Sequence, residues 1–134
     1  VRPPRVAGSI PAMSLEVTTE QREDVTLVTL GGELDIYTVA SFRQDLDQVD
    51  PAATPLVIDL TDVTLLDSSG LGALVSLLNR ARAGQGKLGL ICPHRRLRRV
   101  FEITGLRRAF VFGDDLDSVR EALRAEVGPD AAQA

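Results

Sequence analysis

The stretch Asp62-Val63-Thr64-Leu65-Leu66-Asp67-Ser68-Ser69-Gly70-Leu71-Gly72 sets two adjacent hydroxyls beside a carboxylate, at the point where an apolar run gives way to a new pattern. At the start of a helix such hydroxyls lie near free amide groups and a partial positive charge. Ser68, or alternatively Ser69, is there a candidate acceptor for a phosphoryl group, because a phosphate at a helix N-terminus leaves the fold intact. It would add about −1.5 to −2 charges and three acceptor oxygens next to Asp67, enough to abolish a complementary interface. The structural alternative is plain: Asp and Ser are ordinary N-cap residues, and Asp-Ser-Ser-Gly starts a helix.

Other reactive side chains offer little. Asp59, Asp62 and Asp67 cluster near one strand end and read as turn and cap residues. His94 is the single histidine and precedes an arginine-rich segment, where a surface or capping role is expected. Gly84-Gln85-Gly86-Lys87 lacks the spacing of a phosphate loop, and neither a nucleophile elbow nor a histidine pair for a metal is present. Cys92 stands alone, which excludes an internal disulfide and a cysteine zinc cluster and suits a reducing, cytoplasmic compartment. The expectation is a protein without an enzymatic activity, a metal or a cofactor of its own.

Several elements must position the Ser68 region. Leu15, Val17 and Thr19 alternate with polar residues, and Val25 to Leu30 follows after Arg22-Glu23-Asp24, which predicts a hairpin. Gly31-Gly32 ends or bulges the second strand. Thr38 is expected to cap a helix carrying Val39, Phe42, Leu46 and Val49, closed by Pro51. Pro55 to Leu60 is nearly continuous apolar sequence, as in a strand covered on both faces. A second helix starts at Ser68 or Ser69 and runs to about Ala83 on a stripe of Leu71, Leu74, Val75 and Leu78. Gly72, Ser76 and Asn79 fall on its opposite side as a strip of small and polar residues. Leu88 to Ile91 is a strand, and Pro93 opens a helix with Leu97, Val100, Phe101 and Thr104 inward and Gly105 at its end. Phe110-Val111-Phe112 is a short strand, and Asp114 or Asp115 caps a last helix carrying Leu116, Val119 and Leu123. The order predicts an α/β fold: a mixed sheet of four to five strands with an N-terminal hairpin and about four helices packed on it.

The chain of 134 residues is one domain's worth, with 44% hydrophobic and 25% charged residues. Residues 14–127 are expected to form the domain, 1–13 a flexible arm without the apolar core of a signal peptide, and 128–134 a flexible tail. Apolar runs are far short of the roughly 20 residues that span a bilayer, so no membrane insertion is expected. The net charge of −4 is uneven: Arg95, Arg96, Arg98, Arg99, Arg107 and Arg108 face only Glu102 within 93–108, which leaves about −9 for the remainder. Such a patch either meets an acidic partner or is a solvated helix face.

Leu65-Leu66-Asp67-Ser68-Ser69-Gly70-Leu71-Gly72 resembles the signature of bacterial anti-sigma factor antagonists, the single-domain members of the STAS family. Gly32-Glu33-Leu34-Asp35 matches the motif after the second strand of that family, Val57-Ile58-Asp59-Leu60 its central strand, and Leu97 to Leu106 its third helix. The resemblance extends from about Leu15 to Val127. It implies a STAS-like fold and a partner-switching role: the antagonist binds an anti-sigma factor, itself a serine kinase with ATP or ADP bound, and so releases a sigma factor. The kinase phosphorylates the first serine of the motif, here Ser68, and the complex separates. A metal-dependent serine phosphatase restores binding. The residues expected to meet the partner are Glu33, Asp35, Tyr37, Asp67, Ser68, Ser69, Gly70, Gly72 and Ser76. Direct nucleic-acid or membrane binding is not implied, and nothing demands more than a monomer. Ile36-Tyr37 stands where the family often has polar or histidine residues. The runner-up reading is a STAS-type subunit of a lipid or anion transporter that uses the same helix face without phosphorylation.

Overall fold

A computed structural model describes residues 14–51 and 53–125. The arm expected over 1–13 and the tail over 128–134 lie outside the described residues. Strands β1 (Leu15–Arg22) and β2 (Val25–Leu34) form the antiparallel hairpin, joined by Glu23 and Asp24. Glu23 has φ 51°, the left-handed geometry that a two-residue turn needs to match strand twist. Next come α1 (Val39–Leu46), β3 (Leu56–Leu66), α2 (Ser68–Ala83), β4 (Leu88–Ile91), α3 (Arg95–Ile103), β5 (Val111–Gly113) and α4 (Leu116–Ala125). The sheet has five strands in the order β1-β2-β3-β4-β5, and every pair after the hairpin is parallel.

Strand alternation divides the core in two. Val28 and Leu30 of β2, Leu56, Ile58 and Leu60 of β3, and Leu88 and Leu90 of β4 share one cluster with Phe42 of α1, Leu74 of α2, and Leu97 and Phe101 of α3. Val25, Leu27, Val57 and Ile91 point the other way, onto Val119 and Leu123 of α4. Right-handed crossovers between neighbouring parallel strands place α1, α2 and α3 on the same face, with α4 alone on the opposite one. Phe101 meets the rings of Phe110 and Phe112 edge-on at 5.6 and 5.0 Å, pinning α3 to the sheet edge.

The predicted order of elements is present, with local corrections. Of the two outcomes expected at Gly31-Gly32, the strand bulges rather than ends: it shifts register around these residues and continues to Leu34, and β3 runs six residues past Leu60 to pair with it. Gly32, at φ 109°, supplies the backbone geometry of that irregularity. Helix α1 ends at Leu46, before Val49 and Pro51, because Arg80 of α2 donates to the carbonyls of Leu46 (2.8 Å) and Val49 and so satisfies the chain as it leaves the helix. Thr104 is exposed rather than inward, and its hydroxyl donates back to the Val100 carbonyl at 2.8 Å. On α2, Leu77 and Ala81 join Leu71, Leu74 and Leu78 in the core while Val75 is half-buried. The last strand is Val111–Gly113, one residue later than its aromatic pattern suggests.

Candidate functional site

Parallel strands feeding right-handed helices bring every helix N-terminus to the same end of the sheet. The extension of β2 and β3 pushes two of these connections, 35–38 and Asp67, beyond the rest of that end. Leu34 pairs with Leu66, so Asp35 and Asp67 emerge side by side.

Asp67 is the N-cap of α2, and the helix begins at Ser68. One carboxylate oxygen accepts from the Gly70 amide at 3.0 Å, and the other from the Ile36 amide at 3.2 Å. A single side chain thus caps α2 and fastens the β2–α1 loop against it. With Asp67 in the cap position, Ser68 becomes the first helical residue and is exposed, while Ser69 is half-buried. The two serines are therefore not equivalent: the Ser68 hydroxyl is open to an incoming protein, and Ser69 is partly covered.

Asp35 is buried, at 4% exposure. Its carboxylate accepts from the amides of Tyr37 (2.9 Å) and Thr38 (3.2 Å), so Asp35 serves the start of α1 in the role expected of Thr38. Thr38 makes no side-chain cap; its hydroxyl donates to the Glu33 carbonyl at 2.7 Å and accepts from the Asp35 amide at 3.0 Å. The result is a closed, internally bonded loop whose tip holds Ile36 and Tyr37 out at 64% and 72% exposure. Leu65, three residues before Ser68, is 44% exposed. Exposed aliphatic and aromatic groups on a rigid loop beside a polar helix start suit a partner-binding face.

The remaining expected contact residues divide by position. Gly72 and Ser76 are exposed on α2, as is Asn79, and open space surrounds the position of a Gly72 side chain. The Ser76 hydroxyl donates to the Gly72 carbonyl at 3.0 Å. Glu33 is half-buried on β2. Gly70 is buried: a Cβ there would stand 2.4 Å from the Leu34 carbonyl oxygen and 2.7 Å from the Leu34 side chain. Its role is to let α2 approach the end of β2, not to present a surface. Ile36 and Leu65 were absent from the expected contact set. Ile36 could have been found as an isoleucine inside a turn, outside any strand or helix period; Leu65 carried no such signal, because a strand through 56–66 would ordinarily be covered.

Elsewhere the reactive groups are occupied structurally. The Asp59 carboxylate accepts from the Thr61 amide at 2.9 Å, and His94, at the N-cap position of α3, makes no side-chain cap and bonds the Thr61 carbonyl through its Nε2. Burial pushes the Cys92 thiol up, only partly countered by the Arg98 guanidinium. Among the described residues no group of His, Cys, Asp and Glu is arranged to hold a metal ion, and no helix is long and apolar enough to cross a membrane.

A sheet with this topology, three helices on one face and an exposed serine following an aspartate cap at the β3–α2 junction define a class. Residues 16–121 match the STAS domain family, and the chain belongs to it. The anti-sigma-B factor antagonist of Bacillus subtilis is 35% identical over 95 residues, covering 71% of this chain and 87% of that protein. The protein of the same name from Staphylococcus epidermidis is 33% identical over 115 residues, covering 85% and 100%. Among solved structures, an anti-sigma factor antagonist from Mycobacterium paratuberculosis superposes with a TM-score of 0.69 at 29% identity, covering 82% of this chain and 94% of that one.

Proposed function

We propose that this chain is an anti-sigma factor antagonist switched by phosphorylation of Ser68. In the unmodified state the face formed by Ile36, Tyr37, Leu65, Ser68 and the small-residue strip of α2 docks on an anti-sigma factor, a serine kinase carrying ADP or ATP, and a sigma factor is released. The kinase transfers the γ-phosphoryl group of ATP to the Ser68 oxygen; the hydroxyl proton leaves, ADP is the leaving group, and the chain keeps the phosphoester. A metal-dependent phosphatase returns the hydroxyl by hydrolysis. This cycle belongs in the cytoplasm and requires no catalytic group or cofactor from the antagonist, which acts as a monomer.

The observation that carries this reading is the position of Ser68: exposed, first in α2, and three residues from the exposed Leu65. The helix start accommodates a phosphate, so the domain stays folded. The interface does not, because docking would strip water from a dianion lying beside apolar groups and Asp67. Glu33 and Asp35 contribute differently, Asp35 by holding the loop rigid and Glu33 by its flanking charge. The relatives named for antagonising anti-sigma-B factor support the same assignment.

The test is capture from the lysate of the native host in the presence of ADP, with Ser68→Ala and Ser68→Asp chains as baits. A kinase-fold ATPase retained by the Ala bait alone supports the switch. Equal retention of transporter components by both would instead make the chain a constitutive subunit and Ser68 a helix residue only.

A further inference from the structure

The arginine-rich segment is not used by the site described so far. Two of its six arginines have structural employment. Arg98 donates to the Cys92 carbonyl at 2.6 Å and to Asp114 at 2.8 Å, and Arg107 lies over the Phe112 ring at 4.9 Å. Arg95, Arg96, Arg99 and Arg108 are exposed, and none makes an ion pair among the described residues. Arg95, Arg99 and Ile103 are successive i, i+4 positions of α3, and Arg96 lies three residues before Arg99, so they occupy one side of the helix. Ile103, at 75%, is the most exposed large apolar residue among those described. A solvated charged face has no use for an exposed isoleucine at its C-terminal end.

We propose that this side of α3 is a second docking surface, fitted to an acidic protein segment that carries an apolar side chain for Ile103. The proposal rests on the switch reading for the identity of the partner: the same anti-sigma factor kinase that meets Ser68 supplies the segment. Two features connect the surfaces. Strands β3 and β4 are parallel, so α2 and α3 start at the same end of the sheet. His94, at the N-cap position of α3, is bonded to Thr61 of β3, the strand that leads on to Leu66 and Ser68.

The surrounding charge selects against other polyanions. Glu102 is exposed on α3 itself, and Asp114, Asp115 and Asp117 are exposed just beyond β5, in a chain whose remainder carries about −9. An extended anionic surface, such as a membrane or a nucleic-acid duplex, would meet this acidic border. A short acidic segment can lie over Arg95, Arg96 and Arg99 with Glu102 as its one acidic neighbour on the helix.

The test compares full chains carrying Ser68→Ala with and without Arg95→Glu, Arg96→Glu and Arg99→Glu, together with an Arg→Gln set and Ile103→Ser. Circular dichroism first establishes that each set is folded. Two probes are used: the purified kinase captured by the Ser68→Ala bait, and a synthetic amphipathic peptide of glutamate and leucine. The expected result is a loss of about tenfold or more in affinity for both probes on charge reversal, a smaller loss for the Gln set, and a flatter salt dependence in both. Ile103→Ser weakens binding without changing the salt dependence. Unchanged affinity for both probes would overturn the proposal, as would tighter binding to phosphatidylglycerol vesicles or a DNA duplex than to the peptide. Loss with the peptide but not with the kinase overturns the shared partner while leaving the Ser68 switch standing. If the bait captures no kinase, the switch reading fails, and the shared partner fails with it; the peptide then decides the docking surface alone.

Discussion

At the scale of single residues, the site turns on the different tasks of neighbours. Asp67 caps and clamps, Ser68 is free, Ser69 is partly covered, and Gly70 makes the close approach possible. Gly70→Ala must move the Leu34 carbonyl or tilt α2, and should cost about 2 kcal/mol or more as overpacking does, read as a lower denaturation midpoint in urea. Gly72→Ala, two residues further along α2 and facing open space, should leave stability unchanged or slightly raised. Asp67→Ala removes the acceptor for both Gly70 and Ile36; a loss of about 1–2 kcal/mol is expected, with faster amide exchange at Ile36 than in the parent chain. Cys92 gives a pH test. Its thiol titrates above the ordinary range in the folded chain, so the folded state holds the proton more tightly than the unfolded one. Stability from this group is complete below the unfolded value of about 8.5 and declines as pH rises through the folded value. Urea midpoints at neutral and alkaline pH should therefore fall less steeply for Cys92→Ala than for the parent.

At the scale of elements, much was legible beforehand because local and global signals agree. Leu71, Leu74 and Leu78 at helical spacing and the apolar run of Pro55 to Leu60 each specify an element without help from the rest of the chain. What escaped notice depends on pairing between distant segments. Nothing in Thr61 to Leu66 announces a strand, because its burial pattern breaks alternation where β2 shifts register. Asp35 rather than Thr38 serves the start of α1 for the same reason: the loop geometry is set by where the extended β2 ends. Serine and aspartate at the β3–α2 junction are visible as residue types, and Ile36 as an isoleucine inside a turn, while the exposure of Leu65 requires the fold. A further tie joins the hairpin turn to α4, where Arg120 contacts Asp24 at 2.8 Å and Glu23 at 3.0 Å. Burial of Asp24 is outweighed by its backbone bond and by Arg120, so its carboxyl titrates below the usual range. This contribution is present above the unfolded carboxylate value of about 4 and lost as pH falls through the lowered one. Arg120→Ala should lower the melting temperature by a few degrees at neutral pH and narrow that difference in acid.

At the scale of the whole molecule, the two faces of the sheet carry different loads. One face, under α1, α2 and α3, holds the larger core, with Ser68 at its end; the other is anchored by α4. In the proposed cycle a phosphate on Ser68, at a helix start that tolerates it, alters what the molecule binds without altering how it is packed. The phosphorylated chain should accordingly unfold at the same urea midpoint as the unmodified chain, within the scatter of surface substitutions, about 0.5 kcal/mol. A large drop on phosphorylation would mean that release works by unfolding rather than by charge at the interface.

The most direct test of the switch is to incubate the chain with its captured kinase and ATP, map the phosphoryl group by mass spectrometry, and measure affinity before and after. Switching at Ser68 requires one phosphoryl group on that residue, loss of binding on its addition, and recovery when a serine phosphatase removes it. A phosphoryl group on Ser69 instead, or full binding retained with Ser68 phosphorylated, would contradict it.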